Sequence, residues 1–197
     1  MDDLTLPTQF HVGGEVPDKT DDDKTLEQIQ KWYTQCSGSH YNCRPDNSIG
    51  LPTRLLDIQA PDSLSGIRLI ETECDLPTPD IEYACLSHCW GKSRPRCINL
   101  KESLEQKKQQ INWHDVPLTF QQSIETLRAL GFRYLWIDSI CIIQDDSSDW
   151  EREARSMCDV YTGASLTLAA TNSPNSQNGL YSSRSGEYRS RSFTLRL

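Results

Sequence analysis

What this chain lacks narrows its function first. No apolar run is long enough to cross a bilayer, and the acidic start lacks the charged-then-apolar layout of a signal peptide. Positive charge is scarce: 20 Lys and Arg against 28 Asp and Glu leave a net charge of −8. A nucleic-acid groove or an anionic membrane surface needs clustered cations. The one basic cluster, Arg184, Arg189, Arg191 and Arg196, lies in a Ser-rich tail that reads as solvated linker. No internal repeat is visible. The sequence therefore predicts no nucleic-acid partner, no membrane span and a cytosolic location. In that reducing compartment the eight cysteines are core residues, metal ligands or reactive thiols rather than disulfides. Cys85, Cys89, Cys141 and Cys158 fall in apolar segments, which favours buried thiols.

What is present is enough for one domain of ordinary size: 197 residues, 36% of them hydrophobic, with the polar excess at the two ends. Residues 1–23, with Asp2, Asp3, Asp18 and the run Asp21-Asp22-Asp23, are expected to form a flexible acidic arm. A lead-in over 24–80 starts with a helix near Thr25 and includes short strands at Arg54–Ile58 and Ile67–Glu71. Within it, Cys36, His40 and Cys43 are zinc-type ligands, but a structural site needs four and three are at hand. A helix end with buried thiols explains them better.

The core is placed at 81–172, followed by a closing segment and tail at 173–197. Ile81–Ser87 reads as a strand that runs into His88-Cys89-Trp90-Gly91. Residues 92–116 are polar, and KESLEQKKQQ suits a solvent-facing helix or loop. A helix from Pro117 to Leu130 ends at Gly131 in the C′ position, and the apolar strand Arg133–Ile137 follows, closed by Asp138. Alternation of strand and helix between 81 and 170 is the pattern of an open α/β sheet with helices on its faces. In such sheets ligands sit at strand carboxyl ends, which marks Ser87, Trp90, Gly91 and Asp138 as rim candidates. Each is also an ordinary strand-exit residue.

One acid stands out in the helix that follows. Ser148-Asp149-Trp150-Glu151 fits a capping box, giving Ser148 the cap and Glu151 a structural job. Asp145, Asp146 and Asp149 suit the positive end of the helix dipole. On a wheel of about 100° per residue centred on Trp150, the apolar arc holds Ala154, Met157, Cys158, Val160 and Tyr161. Glu153 is the one acid inside it. A buried carboxylate is costly unless paired. Glu153 is therefore either a partly desolvated acid in a cleft, its pKa raised by burial, or an edge residue paired with Arg133, Arg152 or Arg155.

YACLSHCWG and the long block PLTFQQSIETLRALGFRYLWIDSICIIQDDSSDWEREARSMCDVYTGASLTLAA resemble the HET (heterokaryon incompatibility) domain of filamentous fungi over 83–170. CxxxHxxC, LPTRLLDI and RLIET resemble its lead-in, and GLYSSR its closing segment. The resemblance implies a role in self/non-self recognition and regulated cell death. It also implies distant kinship with TIR domains, hence a flavodoxin/TIR-like, mostly parallel sheet with helices on both faces behind an N-terminal extension. Many TIR domains cleave NAD⁺ with a helical glutamate shortly after a Trp. By that analogy Glu153 is the catalytic acid, three residues past Trp150, and Ser87, Trp90, Gly91, Asp138, Gln144 and Trp150 hold the dinucleotide. TIR domains usually place the acid four or five residues past the Trp, so Glu151 stays in play. The reaction would be that of an NAD⁺ nucleosidase, needing no cofactor and active as a homo-oligomer, with an incompatibility protein as a further partner. A non-enzymatic module acting by self-association is the alternative. A cysteine hydrolase using Cys89 or Cys141 with His88 is disfavoured, because adjacent strand residues point to opposite faces.

Overall fold

The computed structural model describes residues 19–40, 49–61, 63, 65–78, 81–92 and 95–183. Five strands form one sheet: β1 (Arg54–Asp57), β2 (Arg68–Glu71), β3 (Tyr83–Ser87), β4 (Tyr134–Trp136) and β5 (Leu166–Ala169). The helices are α1 (Asp23–Ser39), α2 (Thr72–Asp75), α3 (Leu104–Gln109), α4 (Leu118–Ala129), α5 (Asp138–Cys141) and α6 (Ser147–Gly163). Among the described residues no helix is long and apolar enough to cross a membrane. Cys43 and the tail beyond Ser183, including Phe193–Leu197 and the four tail arginines, lie outside the described residues.

The sheet order is β2-β1-β4-β3-β5. β3 pairs in parallel with β4 and β5, as the α/β alternation predicts. β1 pairs antiparallel with both β2 and β4, in registers that set Leu55 opposite Ile70 and Leu56 opposite Leu135. The sheet is thus mixed, and the expectation of a mostly parallel one is corrected. The reason is connection length. Residues 58–67 joining β1 to β2 are too few for a crossover, so the pair folds back as a hairpin. The lead-in strands do not sit apart: β1 is fully buried and completes the sheet beside β4.

The core threads both halves. Leu55 and Leu56 of β1, Ala84, Cys85 and Leu86 of β3, Leu135 and Trp136 of β4 and Phe120 of α4 are all fully buried. Tyr83 donates from its hydroxyl to the Val160 carbonyl at 2.7 Å, pinning α6 to β3. Trp136 meets Tyr161 edge-on at 5.6 Å. Of the cysteines expected to be buried, Cys85 and Cys141 are, whereas Cys89 and Cys158 are exposed. Lys19 and Thr20, at the end of the acidic arm, pair with the closing segment: Thr20 N–H donates to the Ser182 carbonyl at 3.0 Å.

Candidate functional site

The carboxyl ends of β3 and β4 gather most of the rim candidates. Because β1 runs antiparallel to β4, its first residue, Arg54, arrives at the same edge. Two polar clusters result, one around Arg54 and one around Asp138.

α6 builds the first. Its cap is Asp146, not Ser148: the Asp146 carboxylate accepts from the Ser148 and Asp149 amides at 3.1 and 3.3 Å. The Ser148 hydroxyl donates to it as well, at 2.8 Å, and this bond is the main reason the Asp146 carboxyl is held down to about 2. An Asp two residues earlier wins the cap because its carboxylate reaches two orphan amides at the positive end of the helix. Glu151 has no capping role; it is exposed and pairs with Arg155 at 3.5 Å. The buried side of α6 is centred on Glu153 rather than Trp150. Asp149, Glu153 and Val160 are buried, and Trp150 stands 52% exposed.

Glu153 is 2% exposed and does not stand alone. Its Oε1 lies 3.2 Å from Arg152 Nη2 and 3.9 Å from Arg54 Nη2. Asp149, one turn earlier on the same face, is 4% exposed and is the closer partner of Arg54. The same Asp149 carboxylate pairs with Arg152 and accepts from the Ile143 amide at 2.9 Å. Arg54, itself 3% exposed, also donates from Nε to the Cys141 carbonyl at 2.6 Å. Of the arginines weighed for Glu153, only Arg152 pairs with it; Arg133 instead holds Asp57 at 2.8 Å. Arg54 and Asp149 escaped the sequence reading. The signals were a cation opening the short strand RLLD and the four-residue spacing of 149 and 153, which puts both acids on one helix face.

The second cluster surrounds Asp138, the first residue of α5. Its Oδ2 accepts from Trp90 Nε1 at 2.9 Å and its Oδ1 from the Ser139 amide at 2.6 Å. His88 Nδ1 lies 3.7 Å from Oδ1, beyond hydrogen-bonding distance. Gln144 is committed elsewhere, donating to the Asp138 and Ile142 carbonyls at 3.0 and 3.1 Å. Ser87 is exposed at the strand end. Gly91 adopts φ +77°, and a Cβ there would meet Asn175 Cβ at 2.4 Å, so the closing segment rests directly on the rim. Cys141 lies between the clusters. Burial pushes its thiol up to about 12, helped by the nearby Glu153 and Asp138 and opposed by Arg54. A thiol so placed is no nucleophile at neutral pH. His88 is buried while adjacent Cys89 is exposed, so those two side chains do point apart.

Trp150 is exposed on α6, apart from the buried face that carries Asp149 and Glu153. Cys36 lies on α1 and His40 at its C-cap, and no cluster of metal-ligating side chains forms among the described residues. Two surface clefts, of about 310 and 330 Å³, lie away from both clusters: one between Tyr33, Phe132 and Tyr134, the other beside α2.

Comparison with known proteins agrees with the sequence resemblance. A family model described as Heterokaryon incompatibility protein (HET) matches residues 83–196. The chain is 34% identical over 98 residues to Heterokaryon incompatibility protein 6, OR allele, of Neurospora crassa, a match covering 44% of this chain and 14% of that protein. The chain thus spans a small part of that relative's length. No solved structure matches.

Proposed function

The chain belongs to the heterokaryon incompatibility (HET) family, and from that premise we propose that it acts in fungal heterokaryon incompatibility by cleaving NAD⁺. The observation that carries the family role is the match over residues 83–196, which spans β3 to β5 and every rim residue. The chemical proposal rests on the TIR-like analogy and on Glu153, a carboxylate held inside the fold beside the strand carboxyl ends. In the proposed reaction the C–N bond between nicotinamide and ribose breaks, and its electron pair leaves with nicotinamide. The Glu153 carboxylate stabilises the oxocarbenium-like ribose until water adds, yielding ADP-ribose and a proton. Glu153 is engaged by Arg152 and Arg54, so substrate must displace Arg152, the partner that is itself 55% exposed. Assembly into a cytosolic homo-oligomer is the proposed trigger for that rearrangement.

A second reading is favoured by the same burial. A glutamate 2% exposed between two guanidinium groups does structural work, and the module would then signal through self-association without chemistry. Nicotinamide release from NAD⁺ at high protein concentration separates the two. The enzymatic reading expects release that disappears in Glu153→Gln while the far-UV spectrum is kept. Absence of release in every assembled state, or release untouched by Glu153→Gln, removes Glu153 chemistry and leaves the non-enzymatic module.

A further inference from the structure

The Asp138 cluster has hydrogen-bonding capacity that the protein does not use. The His88 side chain is 1% exposed, and neither ring nitrogen has a hydrogen-bond partner. The Leu86 backbone lies near the ring and favours its charged form, but neither nitrogen reaches hydrogen-bond distance and angle with it. A buried polar group without a partner is costly to keep, so a fold that keeps one has a use for it or a guest on it. The ring is held edge-on against Phe120 at 4.7 Å, with Nδ1 facing Asp138 Oδ1 across 3.7 Å. Burial lowers the His88 pKa, with Asp138 in partial opposition, so the ring is neutral near pH 7 and offers one donor and one acceptor.

Asp138 is the accessible member, its side chain 22% exposed at the carboxyl end of a parallel strand. Its two oxygens are already oriented, Oδ1 by the Ser139 amide and Oδ2 by Trp90 Nε1. The Trp90 bond is the one a ligand can replace, because it comes from a partly exposed indole on the loop after β3 and not from the backbone of α5. A carboxylate with two oriented oxygens accepts two neighbouring hydroxyls, and a hydroxyl beside Oδ1 can also bond the imidazole nitrogen behind it. The released indole is then free to cover the sugar ring.

We infer that Asp138 and His88 form a hydroxyl-binding pair that takes the vicinal diol of a ribose or similar sugar, with Trp90 as its movable cover. This rests on the NAD⁺ reading for the nucleotide that carries the ribose, and it places Asp138, rather than Glu153, in contact with ligand hydroxyls. The probe is ADP-ribose, titrated by calorimetry into the full chain and followed by nitrogen-15 NMR at the Trp90 indole and the His88 ring. The expected result is saturable binding that shifts both resonances, with the Kd raised at least tenfold in Asp138→Asn and the remaining spectrum unchanged. If Asp138→Asn does not fold, His88→Gln carries the same test, with a several-fold weaker Kd expected. Binding that leaves Trp90 and His88 unmoved, a wild-type Kd in the variant, or no binding with a long-lived internal water on His88 overturns the inference. Nicotinamide release from NAD⁺ in the same samples keeps the two proposals apart. Binding without release removes cleavage and leaves the diol site, whereas release with a wild-type Kd in Asp138→Asn removes the site and leaves cleavage.

Discussion

Asp149 and Glu153 share the buried Arg54 guanidinium, and they are not equivalent. Asp149 is the close partner of Arg54, pairs with Arg152 and takes the Ile143 amide, while Glu153 stands 3.9 Å from Arg54. Removing Asp149 strips the buried cation of its nearest counter-charge and leaves a backbone N–H unmet. Asp149→Ala should therefore cost about 3–5 kcal/mol in urea unfolding. Glu153→Gln keeps the shape, loses only the longer pairings and should cost about 1 kcal/mol. A larger loss in Glu153→Gln than in Asp149→Ala would reverse this ranking. The burial of Glu153 was legible in the sequence because helical period alone places it among apolar residues. Its partner Arg54 lies 99 positions away in sequence number, and no local pattern can pair residues so far apart.

At the scale of elements, the strands and the two long helices of the core lie within a few residues of where apolar periodicity and turn residues put them. The helix start at Asp146 was missed because several cap-competent side chains crowd DDSSD, and which one caps depends on how the chain enters from α5. The closing segment carries no helical or strand periodicity in the sequence, yet it is docked along α4. Gln122 Oε1 accepts from the Leu180 and Tyr181 amides at 2.6 and 3.2 Å, Thr119 Oγ1 accepts from the Gly179 amide at 3.1 Å, and Thr126 Oγ1 meets the Tyr181 hydroxyl at 2.9 Å. These are polar side chains on a helix face serving as backbone acceptors, which a hydrophobic pattern does not reveal. Gln122→Ala should free both amides, so hydrogen exchange at Leu180 and Tyr181 should quicken by about tenfold, as loss of one modest hydrogen bond implies. Unchanged exchange there would mean that the segment is held by other contacts.

For the whole molecule, the buried imidazole of His88 links stability to pH. Burial keeps the folded-state pKa of His88 below its ordinary 6.5. Between that lowered value and 6.5 the unfolded chain binds more protons than the folded one, so stability is complete above about pH 6.5 and declines as pH falls below it. The urea midpoint should drop between pH 7.5 and 5.5, and His88→Gln should flatten that drop; equal slopes in both proteins would assign the dependence to other groups. The sequence by itself determined the family, the strand and helix alternation, the Gly131 helix stop and the inward position of Glu153, because each follows from local period, turn chemistry or a long contiguous motif. Only the tertiary structure decided that the sheet is mixed, that Arg54 meets Asp149 and Glu153, and that His88 faces Asp138 unpartnered. Those are contacts between strands and loops distant along the chain, set by how β1 inserts beside β4, and the free energy that selects them comes from burying both halves of the sheet at once.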